Sequence, residues 1–263
     1  MDVNRRTRIG MMFLKAVTAG RRIYPVVTNG LKLYLDAYNI RSYPGTGTTW
    51  YDLSNSGYNF TNNGATWSVS GGRRYFELDG INDYLEGIST TSIFNSNTSG
   101  RTWSMWLYYV SSPSFLDVLV CAQFDSKMPY YFYNRNSAGT TGEGYQFGAA
   151  GAIDVKTQYN TTIPTGVWIH AVGTWTYATS TTGTFRIYIN GTQVASTFQT
   201  NQSGRTYAAQ DNNTPPNIGC LKLFANYVRF NNIRVGEVLN YNRPLTATEI
   251  SDNYNSTKNN YGL

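Results

Sequence analysis

Carboxylates are the residues of this 263-residue chain best able to do chemistry, and glutamates among them are few: Glu77, Glu86, Glu143, Glu237 and Glu249. Glu77 and Asp79 stand two apart in Glu77-Leu78-Asp79, and in an extended strand that spacing puts both on one face. Retaining glycoside hydrolysis needs two carboxyl groups about 5 Å apart on one cleft. Gly80 and Ile81 follow, however, and the stretch Asp79 to Asp83 reads as a turn rather than as more strand. The single histidine, His170, sits in Trp168-Ile-His-Ala-Val, where a packed residue is the expected role rather than a general base. No serine or cysteine stands in a nucleophile-elbow motif. The reading that follows is non-catalytic. Two binding chemistries stay open. Asp79, Asn82 and Asp83 offer hard oxygen ligands suited to Ca²⁺, although the same side chains stabilise a turn unaided, and that reading is preferred. Tyr130, Tyr131, Tyr133, Tyr145 and Tyr207 lie near loops and could stack on the apolar faces of sugar rings. They could equally cover sheet faces or make contacts between protomers.

The elements that must position these residues are strands. Leu31, Leu33 and Leu35 alternate with polar neighbours, as do Phe185, Ile187 and Ile189. Asn190-Gly191 supplies the two positive-φ positions of a tight hairpin turn. The run from Thr102 to Val110 is nearly continuous in apolar residues, the pattern of a strand buried on both sides. Further strands are read at residues 74–78, 84–86, 115–124, 130–133, 167–175, 194–198, 218–224 and 228–239. Residues 136–144 and 199–217 read as loops. Thr246 and Glu249 have capping-box spacing, so one short helix begins there and carries Ile250 inward. Many short strands and one helix make two packed antiparallel sheets.

Charge is unevenly placed. The whole chain carries +6. Arg5, Arg6, Arg8, Lys15, Arg21 and Arg22, set against Asp2 alone, give residues 1–30 a charge of +5 and leave +1 for the remainder. A nucleic-acid face on the folded domain is therefore not expected. Residues 1–28 read as an arm, and Met11, Met12 and Phe13 together with Arg5, Arg6, Arg8, Arg21 and Arg22 suit an anchor that orders on a partner. The apolar run at residues 9–14 is too short to span a membrane, and barely long enough for a signal peptide. Cys121 and Cys220 sit in apolar strand-like runs and are read as buried thiols, with a disulfide as the alternative.

Several blocks carry a family resemblance. They are Asn29-Gly-Leu-Lys-Leu-Tyr-Leu-Asp-Ala-Tyr-Asn, Phe76-Glu-Leu-Asp-Gly-Ile-Asn-Asp-Tyr, Phe185-Arg-Ile-Tyr-Ile-Asn-Gly and Tyr241-Asn-Arg-Pro-Leu-Thr-Ala-Thr-Glu-Ile. In this order they resemble the laminin-G-like, concanavalin A-type lectin/glucanase domain, in the version familiar from tailed-phage virion proteins. The resemblance implies an all-β, two-sheet jelly-roll sandwich over residues 29–263, with one short C-terminal helix and an extended N-terminal arm. It implies a virion structural protein, either a capsid decoration or a tail-fibre adhesion component, assembled in the host cytoplasm. Other virion proteins would meet the arm, copies of the chain would form a homo-oligomer such as a trimer, and a host glycan would be the external ligand. Glucanases of this fold carry Glu-x-Asp-x-Glu on one strand, and this chain departs from that pattern. Some laminin-G-like domains hold Ca²⁺ at the loop rim, which is what brings Asp79, Asn82 and Asp83 into view. A free carbohydrate-binding lectin module is the alternative, and a glycoside hydrolase a third reading.

Overall fold

A computed structural model of the chain describes residues 26–87, 100–112, 117–121, 128–135, 144–150, 155–179, 182–200, 215–223 and 226–263. The described strands form two large antiparallel sheets. The first runs in the order Thr192–Gln193, Thr182–Ile189, Trp168–Thr179, Arg101–Tyr109, Asn232–Tyr241, Arg73–Asp79 and Thr66–Ser70, and Leu31–Asp36 also pairs with Asn232–Tyr241. The second runs Thr197–Thr200, Val155–Asn160, Gly144–Ala150, Met128–Arg135, Asp117–Cys121, Asn217–Ile218, Tyr84–Gly87, Phe60–Asn63 and Thr49–Trp50.

The alternation of side chains explains how the sheets meet. Phe76 and Leu78, Trp103, Met105 and Leu107, Ile169 and Ala171, and Phe185 and Ile187 all point from the first sheet into one core. Phe60, Leu85, Leu119, Phe132, Phe147 and Ile218 meet them from the second. Fully burying a side chain of this size contributes roughly 1.5–3 kcal/mol, which is ample for a sandwich. The two layers interlock at Gly173. A Cβ there would come within 2.3 Å of the Phe147 ring, so the ring occupies the space a side chain would fill. The strand Arg101–Tyr109 is buried on both faces, as its apolar run requires.

The second buried face comes from a third layer. Helix α1, Ala247–Thr257, packs on the outside of the first sheet and continues into a 3₁₀ turn, Lys258–Tyr261. Its start is fixed by the expected capping box: Thr246 accepts from the Glu249 amide, and Glu249 accepts from the Thr246 amide. Ile250 joins Val172, Tyr188, Leu239 and Tyr241 beneath the helix. Asn253 donates to the Tyr241 hydroxyl at 3.0 Å and accepts from the Val27 amide at 2.8 Å. Val26 is buried in the same cluster, so the folded unit takes in residues just before Asn29. The Asn190-Gly191 turn has φ of 50° and 78°, as a two-residue hairpin demands, and Tyr254 of α1 lies directly against Gly191. The expected fold is thus the observed one over the described residues. The arm, with Arg5, Arg6, Arg8, Met11, Met12, Phe13, Arg21 and Arg22, lies outside them. Cys220 is a buried thiol. No helix among the described residues is long and apolar enough to cross a membrane.

Candidate functional site

Of the expected site residues, Asp79, Asn82, Asp83 and Tyr145 have described side chains. Asp79, Asn82 and Asp83 form a hydrogen-bonded turn. Asp79 Oδ1 accepts the amides of Ile81 and Asn82 at 2.7 and 3.3 Å, and Asp83 Oδ2 accepts the Asp79 amide at 3.1 Å. Desolvation raises the Asp83 carboxyl above its ordinary value, and its Oδ1 backs onto Gly64. Both carboxylates thus accept backbone amides, the contacts that stabilise a turn. No group of three or more His, Cys, Asp or Glu side chains suited to a metal occurs among the described residues. Tyr145 requires a correction: it is only 1 % exposed, and its ring packs beside Tyr109 and Phe132 in the core. It has no face to offer a sugar, because its strand turns this side chain inward together with Phe147. Tyr130, Tyr131 and Tyr133 belong to the strand Met128–Arg135, and their side chains lie outside the described residues. Tyr207 also lies outside them.

His170 is a packed residue, as expected. It is fully buried beneath α1, 5.0 Å from the Trp106 ring, and its Nε2 shares a 2.8 Å hydrogen bond with Ser104 Oγ. Burial lowers its pKa to about 3, so it is neutral at ordinary pH. Three of the described glutamates are occupied: Glu77 by Arg234, Glu86 by Lys222 and Tyr227, and Glu249 by Arg243. Asp36 and Glu237 face each other in register, and both are buried.

What the fold does assemble is a row across the first sheet. Register pairs Trp168 with Tyr108, Tyr108 with Arg234, and Arg234 with Glu77. These four point outward, because their neighbours Ile169, Leu107, Ile233 and Leu78 point into the core. The Arg234 guanidinium lies 4.8 Å from the Tyr75 ring centroid and 4.7 Å from that of Tyr108, inserted between the two. Its Nε and Nη2 donate to the Glu77 carboxylate at 3.0 and 3.4 Å. Such a half-exposed pair contributes only about 0–1 kcal/mol. Its effect is to hold Tyr75 and Tyr108 apart with an oriented cation.

Two adjoining clefts open along this row. One, of ≈ 280 Å³, is lined by Arg73, Tyr75, Tyr108, Trp168 and Arg234, with Ser70, Gly71, Gly166 and Gly262 at its edges. The other, of ≈ 400 Å³, lies at the end of the sandwich between Tyr159, Thr161, Pro164, Ile189 and Asn190, with Tyr145 at its floor. Val167, Trp168 and Leu263 are common to both. Trp168 is fixed by Tyr261, whose ring centroid is 4.8 Å away. The sequence singled out Trp168 but not Arg73, Tyr75, Tyr108 or Arg234. Only strand order brings those four together.

A family model agrees with this architecture: that of the concanavalin A-like lectin/glucanases superfamily matches residues 79–251. The chain belongs to that superfamily. No curated protein matches it in sequence. Solved structures similar to this concanavalin A-like sandwich include the binding domain of Paraclostridial mosquitocidal protein 1, with 17% identity and a TM-score of 0.61 over 88% of this chain and 53% of that one. Domain 4 of AbnA, a GH43 extracellular arabinanase from Geobacillus stearothermophilus, solved in complex with arabinotriose, shows 14% identity and a TM-score of 0.54 over 85% of this chain and 98% of that one. The receptor-binding domain of botulinum neurotoxin type G shows 14% identity and a TM-score of 0.51, covering 86% and 51% of the two chains. The chain thus spans about half of either toxin chain. At these identities the likeness is one of fold.

Proposed function

We propose that this chain is a non-catalytic, glycan-binding adhesion module displayed on a phage particle, and that the Trp168–Tyr108–Arg234 row is its sugar-contacting surface. One observation carries the reading. An aromatic-walled cleft of ≈ 280 Å³ with convergent polar groups opens on the outer face of the sheet. Aromatic walls suit the apolar face of a pyranose, and a few oriented donors suit its hydroxyls. The arabinanase domain, nearly the whole of which aligns with this chain, was solved holding an oligosaccharide. Engagement of Glu77, Glu86 and Glu249 with cations supports a binding role over hydrolysis. Placement on a virion rests on the sequence resemblance and on the basic arm, which would order against a neighbouring particle protein.

Two experiments test this. A glycan array with the full chain is expected to show saturable binding that is lost in Tyr108→Ala. No saturable binding, or binding indifferent to that change, refutes the module reading. Deleting residues 1–25, which spares the packed Val26 and Val27, is expected to abolish incorporation into particles while leaving the melting temperature unchanged. Normal incorporation refutes the anchor.

A further inference from the structure

The cleft beside Tyr75 and Tyr108 contains two guanidinium groups, and they are not equivalent. Arg234 is neutralised by Glu77 at 3.0 Å and closed in by two aromatic rings. Arg73 donates from its Nε to the carbonyl of Tyr261 at 3.0 Å. No ion pair joins Arg73 to a carboxylate among the described residues. Its two terminal amino groups lie between Gly71 and Gly262. A Cβ on Gly71 would stand 3.3 Å from Nη1, and one on Gly262 would stand 2.0 Å from Nη2. Both glycines line the cleft. A side chain at Gly262 would collide with the guanidinium, so glycine there lets the half-buried Arg73 side chain sit at the cleft wall.

We propose that the Arg73 fork makes this cleft selective for glycans bearing a carboxylate, such as a uronic or other acidic sugar. The assignment rests on the glycan-module reading and names the class of ligand. A planar fork with two parallel N–H donors matches a carboxylate bidentately, and a charge-assisted pair is roughly twice as strong as a neutral hydrogen bond. The sugar ring that carries the acid would lie along the half-buried Tyr108, since Tyr75 is buried and capped by Arg234. A cavity of ≈ 280 Å³ is at the small end of ligand sites, about 300–1,000 Å³. It therefore suits a single acidic residue of a chain rather than a long stretch.

The test uses the full chain on an array of matched oligosaccharides: oligogalacturonates, their methyl esters, neutral galactose oligomers and sulfated galactose oligomers. The acids are expected to bind at least about tenfold more tightly than their esters, weakening as salt is raised. Arg73→Gln is expected to abolish the preference between acid and ester, and Arg73→Lys, which keeps charge but not the fork, to retain part of it. A melting curve of each variant separates loss of the Tyr261 contact from loss of recognition. Equal binding of acids and esters, a preference unchanged in Arg73→Gln, or stronger binding of the sulfated set overturns the carboxylate assignment while the module reading stands. No saturable binding to any glycan overturns both.

Discussion

Tyr261 is the residue through which the C-terminal segment holds the cleft wall, and Gly236 tests the claim. The Tyr261 ring is only 2 % exposed, stacked 4.2 Å from Trp106 at 17°, and it meets Trp168 at 4.8 Å and Tyr38 edge-on at 5.7 Å. Truncating a buried aromatic ring to alanine costs about 3–5 kcal/mol. A sandwich of this size loses roughly 2–4 °C of melting temperature per kcal/mol, so Tyr261→Ala is expected to lower it by ~6–20 °C. Gly236 lies under the same ring, and a Cβ there would stand 2.4 Å from Cε1 of Tyr261. Its φ is not in the left-handed region, so alanine suffers only the clash, at about 1–3 kcal/mol. The two costs must therefore be non-additive. Gly236→Ala destabilises the native chain but costs little in the Tyr261→Ala background, where the ring is gone. Thermal or urea melts of the four proteins give the coupling directly. Additive effects, or a drop under about 2 °C for Tyr261→Ala, refute this packing.

Three further outcomes are expected. Tyr145→Ala lowers stability by about 3–5 kcal/mol because its ring is a core side chain, and at temperatures where the variant is folded its glycan affinity is unchanged, as calorimetry would show. Glu249, held at about 2 by its hydrogen bonds with Arg243, contributes stability that is complete above its ordinary carboxyl range and is lost as pH falls toward 2; Glu249→Gln therefore flattens the acid limb of a melting-temperature profile between pH ~4.5 and ~2. His170, with a folded pKa of about 3, is neutral when folded but takes up a proton on unfolding below its ordinary value near 6.5, so it destabilises the fold progressively from pH ~6.5 down to ~3. As the single histidine, its imidazole signals in an NMR titration should not move between pH 8 and 5.

Much of the fold was legible because short-range rules govern it. The Leu33 and Leu35 alternation, the two-sided run at Arg101–Tyr109, the Asn190-Gly191 turn and the Thr246–Glu249 box each depend on residues within a few positions of one another. The strands Phe60–Asn63, Thr66–Ser70, Gly144–Ala150 and Val155–Asn160 were not legible. They are rich in Asn, Gln, Thr and Gly, and some of their polar side chains pair across the sheet. Gln146 donates to Gln158 at 2.7 Å, for example, so burial of both glutamines required knowing that their strands are neighbours. Tyr145 reads as a surface aromatic for the same reason, since its flanking Gly and Gln do not reveal which face of the strand is covered.

By itself the sequence determined that residues from Leu31 onward form paired strands closed by one capped helix, and that no ready-made catalytic motif is present. Periodicity, turn chemistry and capping are local, and the free energy of each is set within a few residues. The tertiary structure decided which aromatics are core and which are surface, and it alone placed Trp168, Tyr108, Arg234 and Glu77 in one row. Those four come from segments up to 157 positions apart, joined only by cross-strand register. The structure also brought Gly262, from the far end of the sequence, against the Arg73 guanidinium, a contact that only the packed C-terminal segment creates.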